Sequence, residues 1–384
     1  MPNTLTGLIP TMYNALDVVS RELVGFIPAV TQDMTYERAA VGQTVKSPVA
    51  PAATATDITP NVTAPDDGDQ NIGSVDMQIT KSRRVPIRWN GEERKGLDNN
   101  GAQFNVIFRD QMAQAMRTLT NEIEADLAAL HLKASRAYGT VGTTPFATNT
   151  KEVSQVRKIL VDNGAPTGDL QMVLDTDAGA NLRTLYGIST DRDWSKVPVN
   201  ERGVLATPHG MSIRESGQIL TPAAGSAANA TTNTTGYAVG ATEITLAAAG
   251  TGALLAGDII TFAGDSNMYV VAAGLADVSA GGTIVLAEPG LRQAIPASAT
   301  GITVVSASPR SMGFARSAIA LATRAPALPE QGDSAADSMM LTDPVSGLTF
   351  EVRMYNQYRQ VQYEVSMAWG CAAVKPEHMA LLLG

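Results

Sequence analysis

The stretch QFNVIFRDQMAQAMRTLTNEIEADLAALHLK, residues 103–133, organises the rest of the chain. Neither Gly nor Pro interrupts it, and Asn99, Asn100 and Gly101 precede it as helix start signals. The pattern predicts one helix about 46 Å long, either a long core helix or a strut in a mechanical protein. Its apolar side chains recur at steps of three and four and so share one helix face: Phe104, Phe108, Met112, Ala115, Leu119, Ile123, Leu127 and Leu130. The opposite face is predicted to carry polar residues: Gln103, Arg109, Gln114, Arg117, Asn121 and Glu124.

Composition argues against several classes of protein. The 384 residues carry a net charge of -9, and only 17% of them are charged. Lys and Arg do not cluster in a block, so the composition argues against a DNA-binding protein. Cys371 is the only cysteine and the three histidines are scattered, so neither a disulfide nor a metal cluster is indicated. No stretch is apolar enough to span a membrane, and the start lacks the pattern of a signal peptide.

Residues 40–95 are predicted to form a long hairpin with an uneven charge distribution. One limb is 43–49, and the return limb alternates apolar and polar residues through Trp89, the period of a strand. The segment between them is rich in Pro, Ala, Thr and Asp, and loops of that length are uncommon unless functional or disordered. The hairpin is either solvated or paired with a neighbouring copy, in which case its candidate contact residues are Asp66, Asp67 and Asp69 at the tip and Lys81, Arg83, Arg84 and Arg88 on the return limb.

The remaining segments predict an α+β fold. The first 39 residues hold a short helix and an arm laid over another part of the protein. Residues 151–221 alternate helix, buried strand (LQMVL, 170–174) and helix, and residues 311–323 are predicted to be helical. Two strands, 347–355 and 361–369, close the chain before an apolar end.

Residues 222–306 are predicted to be an inserted β-domain. A segment of Ala, Gly, Ser, Thr and Asn, 221–236, has the composition of a linker. Five short β-runs follow, with Gly at nearly every break, which is typical of a small barrel or sandwich.

No motif in the sequence predicts catalysis or a cofactor. The sequence contains neither a P-loop nor a GxSxG, HExxH or paired-Cys zinc motif. Asp175 and Asp177 could hold a metal in a glycosyltransferase-like enzyme, but they follow a strand, where Asp also caps the next helix.

The order of elements resembles the major capsid proteins of tailed bacteriophages, the HK97-like fold. Three features carry the resemblance: the hairpin that leads into the long helix, the run MVLDTDAGANLR at 172–183, and the ending SGLTFEVRMYN with YEVSMAWGCAAVKPEHM. GDIITFAG at 257–264 and TIVLAEPGL at 283–291 resemble the β-barrel inserted in some short-tailed-phage coat proteins. No Lys/Asn crosslinking pair is identified, so the resemblance does not imply covalent chain-mail.

The resemblance implies a structural protein, not an enzyme, that assembles into pentamers and hexamers of an icosahedral shell. The implied domains are an N-terminal arm (1–39), an extended loop (40–95), the spine helix and peripheral domain (96–150), the axial domain (151–221), the insert (222–306) and the closing part (307–384). Scaffolding protein, portal and enclosed double-stranded DNA are the implied partners, with assembly in the host cytoplasm and a final place in the virion. An encapsulin-type compartment shell is the alternative within this fold.

Overall fold

The computed structural model describes residues 24–49, 55–63, 69, 72–99, 104–188, 208–343 and 346–384. The helix predicted in the first 23 residues lies outside these ranges.

The helices are α1 Gly91–Asn99, α2 Phe104–Ala128, α3 Lys151–Asp162 and α4 Thr176–Ile188. The strands are β1 Thr31–Ala39, β2 Thr44–Val49, β3 Gly73–Gln78, β4 Lys81–Asn90, β5 Arg136–Gly139, β6 Leu170–Leu174, β7 Met211–Glu215, β8 Glu243–Leu246, β9 Ile259–Phe262, β10 Met268–Ala273, β11 Gly282–Leu286, β12 Ile302–Val304, β13 Arg310–Ala315, β14 Ile319–Pro326, β15 Asp337–Thr342, β16 Thr349–Gln357, β17 Gln360–Ala373 and β18 Met379–Leu383.

Helix α2 is the predicted long helix, and its apolar stripe is buried as expected. Its last predicted turns, Ala129–Lys133, form a 3-10 segment instead of a continuation of the α-helix. The stripe belongs to the largest cluster of buried apolar side chains, which also includes Val365 from one large sheet and Leu381 from the other. The helix therefore lies in the core and joins the two sheets.

Glu124 does not lie on a polar outer face of α2, as its sequence position predicted, because only 1% of it is exposed. Its carboxylate accepts backbone N–H groups from Gly25, Phe26 and Ile27, at 3.3, 3.1 and 2.8 Å. The Ser216 hydroxyl donates a fourth bond at 2.9 Å. Burial raises the pKa of Glu124, and the four hydrogen bonds oppose that rise.

The end of the predicted N-terminal arm is part of the core. Phe26 and Ile27 are fully buried, and β1 pairs in parallel with β14. This strand is the first of a sheet ordered β1-β14-β17-β16-β15, in which β4 pairs with β17. This part of the predicted arm thus packs on the core through Phe26 and Ile27 and joins the first large sheet through β1.

The second large sheet is ordered β12-β9-β10-β5-β18-β13-β6-β7. The predicted buried strand LQMVL is β6, and the predicted helices on either side of it are α3 and α4. The apolar chain end, β18, pairs with β13 on one side and with β5 on the other. The end of the chain therefore sits at the centre of this sheet.

The helix predicted for residues 311–323 is wrong, since β13 and β14 occupy that region. Both strands are buried on both faces over nearly their whole length. A strand covered on both faces need not alternate apolar and polar residues. The sequences RSMGFA and IALATRAP accordingly show no period of two, so they cannot be told from a buried helix by pattern alone. Gly313 lies within β13, where an added Cβ would overlap a methyl carbon of Val156 on α3.

The strands of residues 222–306 match the predicted β-runs within a residue or two, and they enclose a separate apolar cluster. Neighbouring strands follow the order β12-β9-β10-β11-β8. Thr232 bridges to Leu246 of β8 and Thr231 to Gly301 beside β12, so the two ends of this series are joined. The segment 221–236 is therefore not a free linker, and Thr232 is fully buried.

Replacing Glu124 by Gln should lower the free energy of unfolding by about 1–3 kcal/mol. The amide would direct two N–H groups at backbone donors, leaving buried groups without acceptors. Chemical denaturation of the purified unassembled chain measures the change.

Glu122→Gln is the matched control, because Glu122 lies on the same helix with a partly exposed side chain. Its loss should stay below about 1 kcal/mol. Equal losses in the two variants would contradict a special role for the Glu124 hydrogen bonds.

Candidate assembly surface

The predicted long hairpin is smaller than the sequence indicated. Strands β2 and β3 pair with each other from Thr44↔Gln78 to Val49↔Gly73. Strand β4, predicted to be part of the return limb, leaves the hairpin and pairs with β17 along its whole length. The term hairpin is used below for residues 40–80.

The base of the hairpin packs against alanine side chains of the first large sheet. Met77 and Ile79 are buried against Ala320, Ala322 and Ala368 of the first large sheet. Small side chains in the sheet allow the hairpin backbone to approach closely, and the Thr80 N–H donates to the Trp369 carbonyl at 3.0 Å. This contact fixes the base of the hairpin to β17.

Gly370 is required at that contact. A Cβ at this position would lie 2.0 Å from the carbonyl oxygen of Gln78, a distance that no side chain tolerates. Its neighbour Trp369 is fully buried, and its indole N–H donates to Asp126 of α2 at 2.8 Å. The pair Trp369-Gly370, noted in the sequence only as part of a resemblance, therefore anchors the hairpin above the long helix.

The outer part of the hairpin segment exposes apolar side chains. Ile58 is 98% exposed, Val62 is 100% exposed and Ile72 is 71% exposed. Every described residue from 55 to 63 is exposed. Scattered single apolar residues are normal on a surface, but these three lie on a segment whose base is fixed, and none of them is buried against the described residues.

The inner face of β4 carries two of the predicted basic contact residues. Lys81 Nζ lies 2.8 Å from Asp126 and 3.2 Å from Glu122, and Arg83 Nε lies 3.2 Å from Glu122. Burial lowers the pKa of Lys81, but its bonds to Asp126 and Glu122 outweigh that effect and raise the pKa overall. These two cations are therefore paired within the chain, with carboxylates that the sequence analysis did not select.

The other predicted contact residues are not brought together. Arg84 faces the opposite side of β4 and pairs with Glu364 at 2.7 Å. Arg88 is exposed and pairs with no carboxylate in the described part of the chain. Asp69 is exposed, whereas Asp66 and Asp67 lie outside the described residues. The basic residues lie on β4, which pairs with β17 and is not a limb of the hairpin.

The possible metal pair has a structural explanation. Asp175 precedes α4, and its Oδ2 accepts the Asp177 N–H at 3.4 Å, as a residue capping the helix would. Among the residues that the structure describes, His, Cys, Asp and Glu form no group of three or more suited to a metal ion. Within the same residues, no helix combines the length and apolar character needed to cross a membrane.

Comparison with known proteins finds similarity in structure only. No family model matches the chain, and no curated protein matches its sequence. The capsid of cyanophage P-SCSP1u is similar at 12% identity and a TM-score of 0.46, over 94% of this chain and 88% of that one. A structure from Mycobacterium phage Che8 is similar at 11% identity and a TM-score of 0.43, over 89% of this chain and 84% of that one.

A third similar structure is a virus-like particle from Pyrococcus furiosus, at 9% identity and a TM-score of 0.42, over 97% of this chain and 98% of that one. A phage capsid and a virus-like particle are thus among the structures to which this chain is similar.

Gly370→Ala should release the base of the hairpin. The added methyl would overlap the Gln78 backbone, so β3 must move, at a cost of about 1–3 kcal/mol or more. Hydrogen exchange at the amides of residues 73–80 measures the release, and exchange there should be much faster than in the unsubstituted chain.

Gly96→Ala serves as the control, because nothing lies within 4 Å of a Cβ built at that glycine of α1. It should leave exchange in residues 73–80 unchanged. Unaltered exchange in Gly370→Ala would show that the close approach is not needed.

Proposed function

We propose that this chain is a major capsid protein of the HK97-like class, which assembles into an icosahedral shell around double-stranded DNA. The observation that carries the proposal is a hairpin with a fixed base and exposed apolar residues beyond it. The outer part of the hairpin gains no burial against the described part of the chain, since Ile58 and Val62 are 98% and 100% exposed. It gains stability once a second surface covers those residues.

The free energy gained by burying these apolar side chains favours a contact that is repeated in every subunit. Full burial of a Val or Ile side chain contributes about 1.5–3 kcal/mol. A single hairpin therefore supplies only part of the free energy of a stable interface, but in a closed shell each subunit both gives and receives such a contact. A chain with 17% charged residues is also suited to broad intersubunit surfaces.

A second copy is the occupant that the charges support best. The acidic chain, at a net charge of -9, lacks the basic cluster that would hold DNA phosphates, so the wall of a shell made from it would not adhere to packaged DNA. The resemblance in element order to tailed-phage coat proteins points to the same occupant. Arg88 on β4 and Asp69 near the hairpin tip are exposed and suited to pairing between copies, and Arg83 and Arg84 are partly exposed. Lys81 is a weaker candidate because it is paired within the chain. Asp66 and Asp67 remain the candidates that the sequence predicts.

The domain assignment follows this proposal. Helix α2 is the spine helix, the sheet of β5, β6, β13 and β18 with α3 and α4 is the axial domain, and residues 222–306 are an inserted β-barrel. The bridges from Thr231 and Thr232 to both ends of the strand series support a closed barrel. Scaffolding protein and portal are the proposed partners in assembly, which takes place in the host cytoplasm and ends in the virion.

The double variant Ile58→Ser, Val62→Ser tests the proposal. Both side chains are almost fully exposed, so the free energy of unfolding of the unassembled chain should change by less than about 0.5 kcal/mol. Shell assembly should fail, because the apolar area that neighbours cover is lost. Electron microscopy and analytical ultracentrifugation measure the yield of particles.

Ile58→Leu with Val62→Ile is the matched control, since it retains the apolar area at the same two positions. It should assemble normally. Particles from the serine variant in normal yield would exclude this segment from the contact on which the proposal depends.

Arg88→Glu tests the charged part of the surface. Arg88 pairs with no described carboxylate, so its reversal should leave the unfolding of the unassembled chain unchanged. Shell yield should fall at low salt and recover in part at high salt, which screens repulsion between exposed charges.

Reversal of Arg83 and Arg84 is the comparison. Each side chain is 58% exposed and holds one ion pair, so the double variant should also lose up to about 1 kcal/mol per pair in the unassembled chain. If Arg88→Glu forms shells in normal yield at low salt, Arg88 makes no contact between subunits and this face of β4 is only solvent-exposed.

A further inference from the structure

His131 is a buried imidazole just after the long helix α2. It lies in the 3-10 segment Ala129–Lys133 and is 3% exposed. Its Nδ1 lies 3.1 Å from the carbonyl oxygen of Ala128, which can only accept, so Nδ1 carries the proton of the neutral ring. Its Nε2 is shielded from solvent and has no hydrogen-bond partner among the described residues. A proton added to Nε2 would therefore have no acceptor.

The 3-10 segment lies between the long helix and the strands of residues 222–306. Strands β10 and β17 both contact it. The turn before β9 also packs on it, since a Cβ added at Gly257 would overlap the Leu132 side chain. The segment and these contacts are called the helix-end joint below. A movement of the segment therefore changes how residues 222–306 pack on the end of α2.

A buried cation, Arg310 of β13, acts on His131. Burial lowers the pKa of His131, the charge of Arg310 lowers it further, and the hydrogen bond to Ala128 opposes these effects only in part. Arg310 is 2% exposed and donates to the Ser308 hydroxyl at 3.3 Å, and its Nε has no partner among the described residues. The nearby carboxylate of Asp258 accepts two backbone N–H groups, at 2.9 and 2.6 Å. Because arginine keeps its proton in proteins, a second cation at His131 would be repelled.

The other titratable groups on the strands that contact the segment stay uncharged. Burial raises the pKa of Tyr269 on β10 to about 12 and that of Cys371 on β17 to about 11. Lys133, in the segment itself, is exposed to solvent. Histidine is the side chain whose charge ordinarily changes between about pH 5 and 8. A response of the joint in that range therefore points to His131.

The nearest carboxylates of α2 would respond in a different way. Asp126 is held by Lys81 and by the indole of Trp369, both at 2.8 Å. Burial raises the pKa of Glu124, and a carboxyl group of that kind makes the folded form less stable as pH rises. That effect is opposite in sign to the one expected of His131, so the two can be told apart.

We propose that the helix-end joint is an acid-sensitive contact, in which protonation of His131 frees the 3-10 segment from the Gly257 turn and from β10. The protonated ring has two N–H donors, of which only the one at Nδ1 has an acceptor in place. Its charge also lies near that of Arg310. Both costs are removed when the segment moves and the ring reaches water. The device belongs to the single chain and does not depend on the proposed shell.

The direction of the pH response follows from the two states of the joint. In the open joint the ring is solvated, and its pKa is near the ordinary value of about 6.5. In the closed joint the pKa is lower. The closed form is therefore fully favoured above about pH 6.5 and loses stability as the pH falls below that value. One proton is taken up on opening, so the opening constant rises by at most about tenfold per pH unit.

Hydrogen exchange of the unassembled full-length chain tests the proposal. Protection factors, which correct for the pH dependence of exchange itself, are measured at the amides of residues 129–134. They should change little from about pH 7.5 to 6.5 and fall several-fold from about pH 6.5 to 5.5. His131→Phe keeps a ring of similar size, and His131→Gln is a second variant should the first not fold. Protection should be independent of pH in either variant, even if its absolute value is lower.

The other two histidines supply the controls. His209→Gln changes an exposed ring, and His378→Gln changes a partly buried one outside the segment. Both variants should retain the fall in protection at residues 129–134. Protection in the unsubstituted chain that does not depend on pH would overturn the proposal. The same fall in His131→Phe or His131→Gln, or its loss in His378→Gln, would overturn it too.

Discussion

Burial of the apolar stripe of helix α2 is the constraint on which the rest of the structure depends. Its apolar stripe lies in one cluster with side chains from both large sheets, so neither sheet has a complete core without it. Two acidic residues of the helix also hold other elements, since Glu124 accepts hydrogen bonds from the backbone at residues 25–27 and Asp126 accepts one from Trp369. A change in the position of this helix would therefore disturb the N-terminal strand, the hairpin base and the axial sheet together.

Stability and assembly draw on different parts of the hairpin. Its base is bound closely to β17, where Gly370 and the alanines leave no room for larger side chains. Its outer residues contribute nothing to the isolated chain, since their apolar groups face solvent. A rigid base reduces the conformational entropy that binding would otherwise cost. The arrangement is physically suited to a contact that one subunit presents to the next.

The strands of residues 222–306 are continuous with the rest of the second large sheet. Strand β10 pairs with β5, and Ile259 and Val270 reach the central cluster that contains α2. Arg136 of β5 adds a polar connection, donating to Asn267 of the insert and to Asn163 at the end of α3. Residues 222–306 therefore have an apolar cluster of their own and also share part of the central core.

The sequence by itself determined the elements whose patterns are local. The stripe of α2, the alternation of β16 and β17, and the glycine-bounded strands of the insert follow from side-chain period and turn residues. The sequence also contains a local signal for the start of α1, since Asn90 and Glu93 exchange hydrogen bonds as a capping box.

The tertiary structure alone decided that β13 and β14 are strands, because burial on both faces removes the alternation that identifies a strand. It also decided the partners of Lys81, the burial of Glu124 and the need for Gly370. These depend on atoms far apart in the chain, and the one-dimensional order of residues carries no record of which side chains meet.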